Sequence, residues 1–442
     1  MARASRLSRP FLPVAAAVVA LLGCKPAMEF PTCADGGEEI AFDQAPTWSA
    51  DVAPVVFEHC VQCHRRDGSA PMAFTTHEEA APWAELMAAA TTERRMPPAG
   101  PTSCGECQTF KDSHWLSPQE LAVFRAWAAS GAPEGDPSAV PELPPVPGGL
   151  DRVDLSLQMP EQYLPAGANG ADDYRCFIVT PDLAETQYLT GFAVDPGQDA
   201  LVHHVILYGL YTSEHRSLAA ELAGQDDKAG FGCFGDSGID EAPMLAGWAP
   251  GTPPILYPED TGVRLLPGME LVLQVHYHTE INSLPDQSTM HLRLEDSVPQ
   301  EAVILPVGDW EFSVAPGQEL GATYQQDGDF IGPVGPVQVH GVAPHMHTRG
   351  RTLQVELWEL DDYQCMVDIP HWDFDDQGLY FYEEPVTVKG GANMRITCGF
   401  DTRGADGPVE WGDGTEDEMC LALFYVTGIP QNILDEQYAS LE

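Results

Sequence analysis

Positive charge is what this sequence has least of. Its 442 residues hold 21 Lys and Arg, four of them Lys, against 67 Asp and Glu, a formal net charge of −46. A chain this acidic repels phosphate backbones and anionic lipid head groups, which excludes nucleic acid as a partner and adsorption to a membrane through surface charge. The acids are scattered without long blocks, the pattern of a solvated surface and not of an acidic tail. Long apolar runs are missing too. After the first 22 residues no segment stays apolar for 18 residues, so nothing later reads as a membrane-spanning helix. No unit of 20–50 residues repeats, which excludes a solenoid.

The one apolar run, Phe11 to Leu22, follows Arg3, Arg6 and Arg9 and has the length of a signal-peptide core. It ends in Leu21-Leu22-Gly23-Cys24, which resembles a bacterial lipobox. That pattern implies a signal peptide over residues 1–23, a lipid-modified Cys24 as mature N-terminus and a linker over 24–45. The alternative is an ordinary secretory signal cleaved nearby. The expectation is an exported lipoprotein of a bacterial outer membrane, periplasmic or at the cell surface, touching the bilayer only through its N-terminal lipid.

Cys60-Val61-Gln62-Cys63-His64 is the attachment signature of a c-type haem. Two thiols are spaced for thioether bonds to the porphyrin, and His64 is placed for one axial position on iron. The competing reading is half of a zinc site, with Cys104 and Cys107 as the other half. Met72, Met87 and Met96 are the candidates for the second axial position. Met87 lies in the apolar stretch Trp83–Ala90, which reads as a buried helix face. Met96 sits in Arg95-Met96-Pro97-Pro98, where two prolines forbid a helix and hold an extended strap. Met96 is therefore the expected ligand, and His/Met ligation raises the potential toward electron-transfer duty. Ser117-Pro118-Gln119-Glu120 predicts a helix start, Leu121, Phe124, Trp127 and Ala128 its apolar stripe, and Gly131 its end. Residues 46–134 thus read as a small all-α domain around one covalent haem c. With Gln62-Cys63-His64-Arg65, Ala70-Pro71, Pro82-Trp83-Ala84 and the proline strap, it resembles bacterial class I-like cytochrome c domains fused to larger enzymes.

Setting aside Cys24, Cys60 and Cys63 leaves eight cysteines: Cys33, Cys104, Cys107, Cys176, Cys233, Cys365, Cys398 and Cys420. An even remainder in an exported protein reads as disulfides. Cys104-Gly105-Glu106-Cys107 is expected to close a local bridge, or to act as a redox dithiol.

Residues 135–150 form a stiff Pro-rich linker. Beyond it helical periodicity all but disappears. Short apolar runs such as Thr190–Val194, Val202–Tyr208, Glu270–Tyr277, Thr352–Leu360 and Leu421–Val426 alternate with Pro, Gly and Asp. That texture predicts all-β sandwiches or jelly rolls, with room for two domains, 151–298 and 299–442. Three histidine pairs stand out. His345-Met346-His347 puts two imidazoles on one side of a strand, and His276-Tyr277-His278 does the same. His203 and His204, as neighbours, point to opposite faces unless a bulge or strand end brings them together. Each pair alone could be structural. Together, with no carboxylate cluster nearby, they favour copper, nickel or zinc over calcium or magnesium.

Four segments carry a family resemblance. Val202-His203-His204-Val205-Ile206-Leu207-Tyr208, Leu271-Val272-Leu273-Gln274-Val275-His276-Tyr277, Pro344-His345-Met346-His347 and Asp417-Glu418-Met419-Cys420 resemble the motifs of the copper type II, ascorbate-dependent monooxygenases. Gly247-Trp248-Ala249-Pro250-Gly251 resembles bacterial members. The resemblance implies two jelly-roll (β-sandwich) domains, each with one copper, facing across a solvent-filled cleft. His203, His204 and His276 would hold the electron-transfer copper, and His345, His347 and Met419 the oxygen-binding, catalytic one. It also implies a Cys398–Cys420 disulfide and, more weakly, Cys176–Cys233. His278 and His340 are left as supporting or structural residues.

The chain departs from the peptide-hydroxylating relatives in two places. Ala343 stands where they carry a carboxylate-gripping arginine, and Leu421, Ala422 and Leu423 replace polar residues after the copper methionine. A glycine-extended peptide is therefore not the expected substrate, and an unidentified apolar or neutral small molecule is. The full expectation is a monooxygenase with two copper ions and one haem c. It uses O₂ and takes electrons from an ascorbate-like or protein donor through the haem to the His203/His204/His276 copper. The competing class is a non-catalytic haem–copper electron carrier or copper-binding lipoprotein; a third is a carbohydrate-binding scaffold with structural zinc.

Overall fold

The computed structural model describes residues 40–438, apart from 67, 69, 99, 106, 146–148, 167–171, 226, 234, 251, 280–283, 328–329, 331–334, 360–361, 375–376, 413 and 415–416. The expected signal peptide, Cys24, Cys33 and the linker up to residue 39 lie outside the described residues.

The N-terminal part is helical. The turn Trp48–Val52 and helices Ala53–His59, His77–Ala80, Ala84–Thr92 and Pro118–Ala129 gather Trp48, Val56, Phe74, Met87, Phe124 and Trp127 into one core. Helices this short are marginal alone and depend on that shared burial. The last one starts as its sequence requires. Ser117 N donates to Glu120 Oε2 at 2.7 Å, Glu120 N donates to Ser117 Oγ at 3.3 Å, and Pro118 occupies the first turn. Gly131, at φ 81°, follows it in the left-handed region where a Cβ is costly. Among the described residues no helix is long and apolar enough to cross a membrane.

From Leu155 onward the chain is mostly β-sheet with few helices, an arrangement of β-sandwiches. One nine-stranded sheet runs through all of it. Its order is Leu155–Gln158, Thr289–Glu295, Gln187–Asp195, Thr261–Leu265, Gln300–Gly308, Leu421–Thr427, Val337–His345 and Tyr380–Val388, with Ile255–Leu256 beside Gln187–Asp195. A five-stranded sheet packs on the first half: Phe231–Gly232, Asp172–Val179, Glu270–His278, Val202–Leu210 and Met244–Trp248. Leu189, Phe192 and Leu292 from one layer meet Val205, Leu273 and Val275 from the other. A four-stranded sheet packs on the second half: Gly321–Asp327, Asn393–Phe400, Gly350–Glu359 and Asp362–Ile369. There Val339, Val342 and Phe424 meet Leu353, Val355 and Ile396. The halves are joined by parallel pairing of Gln300, Glu301 and Ala302 with Thr261, Gly262 and Val263. The strands on either side of residue 299 therefore belong to one sheet.

The helical part is stitched to the second sandwich. Cys107 forms a disulfide with Cys365, 258 residues away, at a Cα–Cα distance of 4.9 Å. Around it Thr102 N donates to Asp368 O at 2.8 Å, Gln108 Nε2 to Cys365 O at 2.7 Å and Lys111 N to Phe381 O at 2.8 Å. Phe110 packs on Tyr382 with ring centroids 5.1 Å apart. The local Cys104–Cys107 bridge expected from the sequence is thus corrected. Backbone pairing at the edge of the sandwich carries Cys107 to a distant partner, and short sequence separation does not decide a disulfide. Cys104 is also disulfide-bonded. Cys176–Cys233 and Cys398–Cys420 pair as the resemblance implies.

Candidate metal centres

The first centre depends on a bulge. Strand Val202–Leu210 runs antiparallel to Glu270–His278 with His204 opposite His276, but the register slips between Val202 and His204. The extra residue turns His203 to the same side as His204, the condition the sequence imposed. Ring centroids of His203 and His204 lie 4.9 and 4.8 Å from that of His276, and one nitrogen from each of the three falls within 4.8 Å of the others. His203 Nδ1, His204 Nε2 and His276 Nδ1 are buried and make no hydrogen bond. A single buried polar atom left this way costs about 1–3 kcal/mol. Three histidines that each bring one ring nitrogen within 4.8 Å of the others fit a metal with nitrogen ligands.

His276 is held from several sides. Its Nε2 lies 3.0 Å from Asp172 Oδ1, which is also 3.5 Å from His278 Nδ1. That contact makes Nε2 the protonated nitrogen and leaves Nδ1 with its lone pair. Tyr174, directly across in the sheet, stacks on His276 at 3.9 Å and 8°. Tyr277 points the other way into the core, donating to Asp286 Oδ2 at 2.9 Å.

The second centre lies where strand Val337–His345 ends. Met346 is buried in the core, so His345 and His347 share the other side, their rings 5.1 Å apart. His345 Nδ1 meets Gln377 Oε1 at 2.6 Å, and His347 Nδ1 meets the Asp417 carbonyl at 3.1 Å. Both contacts leave Nε2 as the ligating nitrogen. Buried Glu418 accepts from His347 N at 3.0 Å and from Arg349 N at 2.5 Å, tying the histidine segment to the one that carries Met419. Met419 is itself buried, next to the Cys398–Cys420 disulfide.

Burial lowers the pKa of all five imidazoles, and the neighbouring imidazoles lower it further. His203 and His345 fall to about 3, His347 to about 4, and His204 and His276 also fall. At pH 7 they are neutral and their lone pairs are available, as metal binding requires. His204 feels His345 and His347 as well as its own neighbours, so the two clusters share one electrostatic environment. Where the resemblance implies a solvent-filled cleft, an aromatic ring intrudes. Phe374 stacks on His203 at 4.8 Å and 19°, and stands edge-on to His347 at 6.2 Å.

Cys60 and Cys63 are the free cysteines among the described residues, in the loop just after helix Ala53–His59. His64 Nδ1 lies 3.1 Å from the Met72 carbonyl and its ring stacks on Phe74 at 4.5 Å. This fixes Nδ1 as the donor and leaves Nε2 for iron, so the loop fits a covalent haem. Met72 serves through its backbone, and Met87 is buried in the helical core. Met96 is 42 % exposed and lines a shallow pocket with Arg94, His114 and Trp115. His340 donates to or accepts from Thr427 Oγ1 at 2.8 Å, away from the clusters.

Four participants escaped the sequence: Asp172, Phe374, Gln377 and the pinning role of Glu418. Asp172 sits opposite His278 only through strand register. Phe374 and Gln377 arrive from the loop between strands Asp362–Ile369 and Tyr380–Val388, which carries no motif.

The chain is similar to several known proteins. A protein from Mus musculus named DBH-like monooxygenase protein 2 is 25% identical over 279 residues, covering 57% of this chain and 42% of its own length. The human putative DBH-like monooxygenase protein 2 is 25% identical over 281 residues, covering 59% and 54%. The chain thus spans about half the length of these curated relatives. Among solved structures, the major capsid protein P2 of bacteriophage PM2 aligns over 62% of this chain and 97% of its own at 10% identity, with a TM-score of 0.29. Residues 329–435, which include His345, His347 and Met419, match the family of the copper type II ascorbate-dependent monooxygenase, C-terminal domain.

Proposed function

We propose that the chain is a copper-dependent monooxygenase that hydroxylates a C–H bond of a small organic substrate with O₂, fed with electrons through a haem c in its helical part. One observation carries the reading: three histidines each bring a ring nitrogen within 4.8 Å of the others, in one electrostatic environment with a second imidazole pair on the family-matched stretch. His203, His204 and His276 would hold one copper; His345, His347 and Met419 would hold the other. Bound copper would supply O₂ activation and one-electron transfer, and bound haem a store of single electrons. The chain's own residues prepare those sites. Asp172 orients His276, while Gln377 and the Asp417 carbonyl present Nε2 of His345 and His347. The thioether of Met419, a soft ligand, would favour the cuprous form of a bound copper.

Each hydroxylation consumes two electrons and two protons and releases one oxygen atom as water, so a one-electron donor, ascorbate-like or a redox protein, is required upstream. By the family resemblance those electrons would go first to the His203/His204/His276 centre. The seam of residues 102–111 on the second sandwich instead favours entry on the His345 side. Among the described residues seven cysteines are disulfide-bonded while Cys60 and Cys63 stay free, which suits an oxidising compartment and thiols reserved for haem. That pattern supports export, which we extend to an outer-membrane lipoprotein anchored through Cys24.

The test is metal and haem content of the chain beginning after Cys24, produced with haem-maturation machinery and loaded with copper. Two copper and one iron per chain are expected. Met419→Leu should keep the fold and the haem while losing product formation. Zinc in place of copper, or turnover unaffected by Met419→Leu, would move the assignment to an electron carrier or binding scaffold.

A further inference from the structure

The sheet face that carries His345 is apolar. His345 pairs with Leu421 and Ala343 with Leu423, so these four side chains project from one face, each half-buried. The opposite face, Val342, Pro344, Ala422 and Phe424, is packed into the second core or buried beside it. Nothing charged stands among Ala343, Leu421 and Leu423. The same side of the second sandwich meets the first, because Ile304, Leu379, Phe381 and Tyr425 join the first core. His345, Ala343, Leu421 and Leu423 therefore sit on the side turned toward the His203/His204/His276 cluster.

Phe374 adds a second wall. It comes from the second sandwich yet stacks on His203 of the first, with His347 against its edge. Its loop is fastened to the second centre: Gln377 Nε2 donates to Phe374 O at 2.8 Å, Gln377 Oε1 contacts His345 Nδ1, and Trp372 Nε1 donates to His347 O at 3.2 Å. A ring tied to both clusters in this way is positioned to set the space between them. An apolar molecule entering there gains the burial of Phe374 and the leucines. A carboxylate entering there finds no charged side chain in Ala343, Leu421 or Leu423 to replace the hydration it loses.

Resting on the monooxygenase reading, we propose that the substrate is a neutral apolar compound, held beside His345 by the Ala343, Leu421 and Leu423 face with Phe374 as the residue that determines specificity. The apolar wall holds the substrate without a charged anchor, so selection rests on shape and hydrophobic burial.

The test uses the full mature chain, copper-free, with matched neutral and anionic probes: benzyl alcohol against benzoate, and 1-hexanol against hexanoate. Binding is read by calorimetry and ligand-observed NMR. The neutral member of each pair should bind at least tenfold tighter, and Phe374→Ala should weaken it about tenfold, the loss of roughly 1.4 kcal/mol. Phe374→Leu, which keeps the wall apolar, should retain most of the binding and controls for folding. Tighter binding of the carboxylates, or equal binding by wild type and Phe374→Ala, would overturn the assignment. Copper uptake by the same samples is measured separately. Wild-type uptake below two ions would bring down the metal reading and this assignment with it, whereas two ions with indifferent probe binding would sink this assignment alone.

Discussion

Replacing Asp172 by alanine should weaken copper binding at the first centre by about 10- to 100-fold and leave the second unchanged. Asp172 is 6 % exposed, and its Oδ1 lies 3.0 Å from His276 Nε2, on a ring that is 1 % exposed and stacked on Tyr174. Two effects oppose each other in the variant. Removing the carboxylate takes away a pull that raises the pKa of His276, so protons compete less well for the ring. Burial, however, already holds that pKa below 6.5, so at pH 7 this gain is close to nothing. The second effect is the loss of the partner for Nε2–H. A hydrogen bond to a charged group contributes about 1.5–3 kcal/mol, and without it the ring can exchange tautomers or turn. At about 1.4 kcal/mol per factor of ten, the second effect wins and gives the stated range. Asp172→Asn keeps an acceptor oxygen without the charge and should lose less than alanine. The assay is cuprous-ion competition with a chromophoric chelator at pH 7, in a His347→Ala background so that only the first centre is read. Equal affinity in wild type and Asp172→Ala would refute the reasoning, as would a larger loss in the asparagine variant.

Three further outcomes are expected. Paired Cys107→Ser and Cys365→Ser substitutions open a link across 258 residues and should lower the unfolding free energy by about 2–5 kcal/mol, seen as a lower urea midpoint. Glu418, fully buried, has its carboxyl pushed from 4.5 to about 7 by burial, against the pull of the Arg349 and His347 amides. Its contribution is fully present below pH 4.5 and is lost as pH rises to about 7, because the unfolded chain ionises first; the loss is about 3 kcal/mol. Glu418→Gln should remove that fall, so the difference between variant and wild-type stability, measured by urea titration from pH 4.5 to 8, should rise with pH; a flat difference would contradict the assignment. Ser117→Ala breaks a capping pair and should cost the helical part about 1 kcal/mol, read as a lower thermal unfolding midpoint by far-ultraviolet circular dichroism at 222 nm.

Much of this protein was legible in its residues because the signals were local. A Ser-Pro-Gln-Glu start makes a cap wherever it occurs, since the partners are three residues apart. Period-two alternation puts His276 and His278 on one side and Tyr277 on the other by backbone geometry alone. The adjacency of His203 and His204 called for a bulge or a strand end, and the strand has a bulge between Val202 and His204. Tertiary structure decided what depends on strands meeting. Asp172 reaches His276 only because two strands pair in one register, and Cys107 finds Cys365 only because residues 102–111 dock on a sheet edge. One continuous sheet joins what reads as two β-domains, since parallel pairing of Gln300–Ala302 with Thr261–Val263 leaves no mark in either segment. Phe374 touches both clusters from a loop without a motif, because its position is set by the packing of two sandwiches and not by its neighbours in the chain.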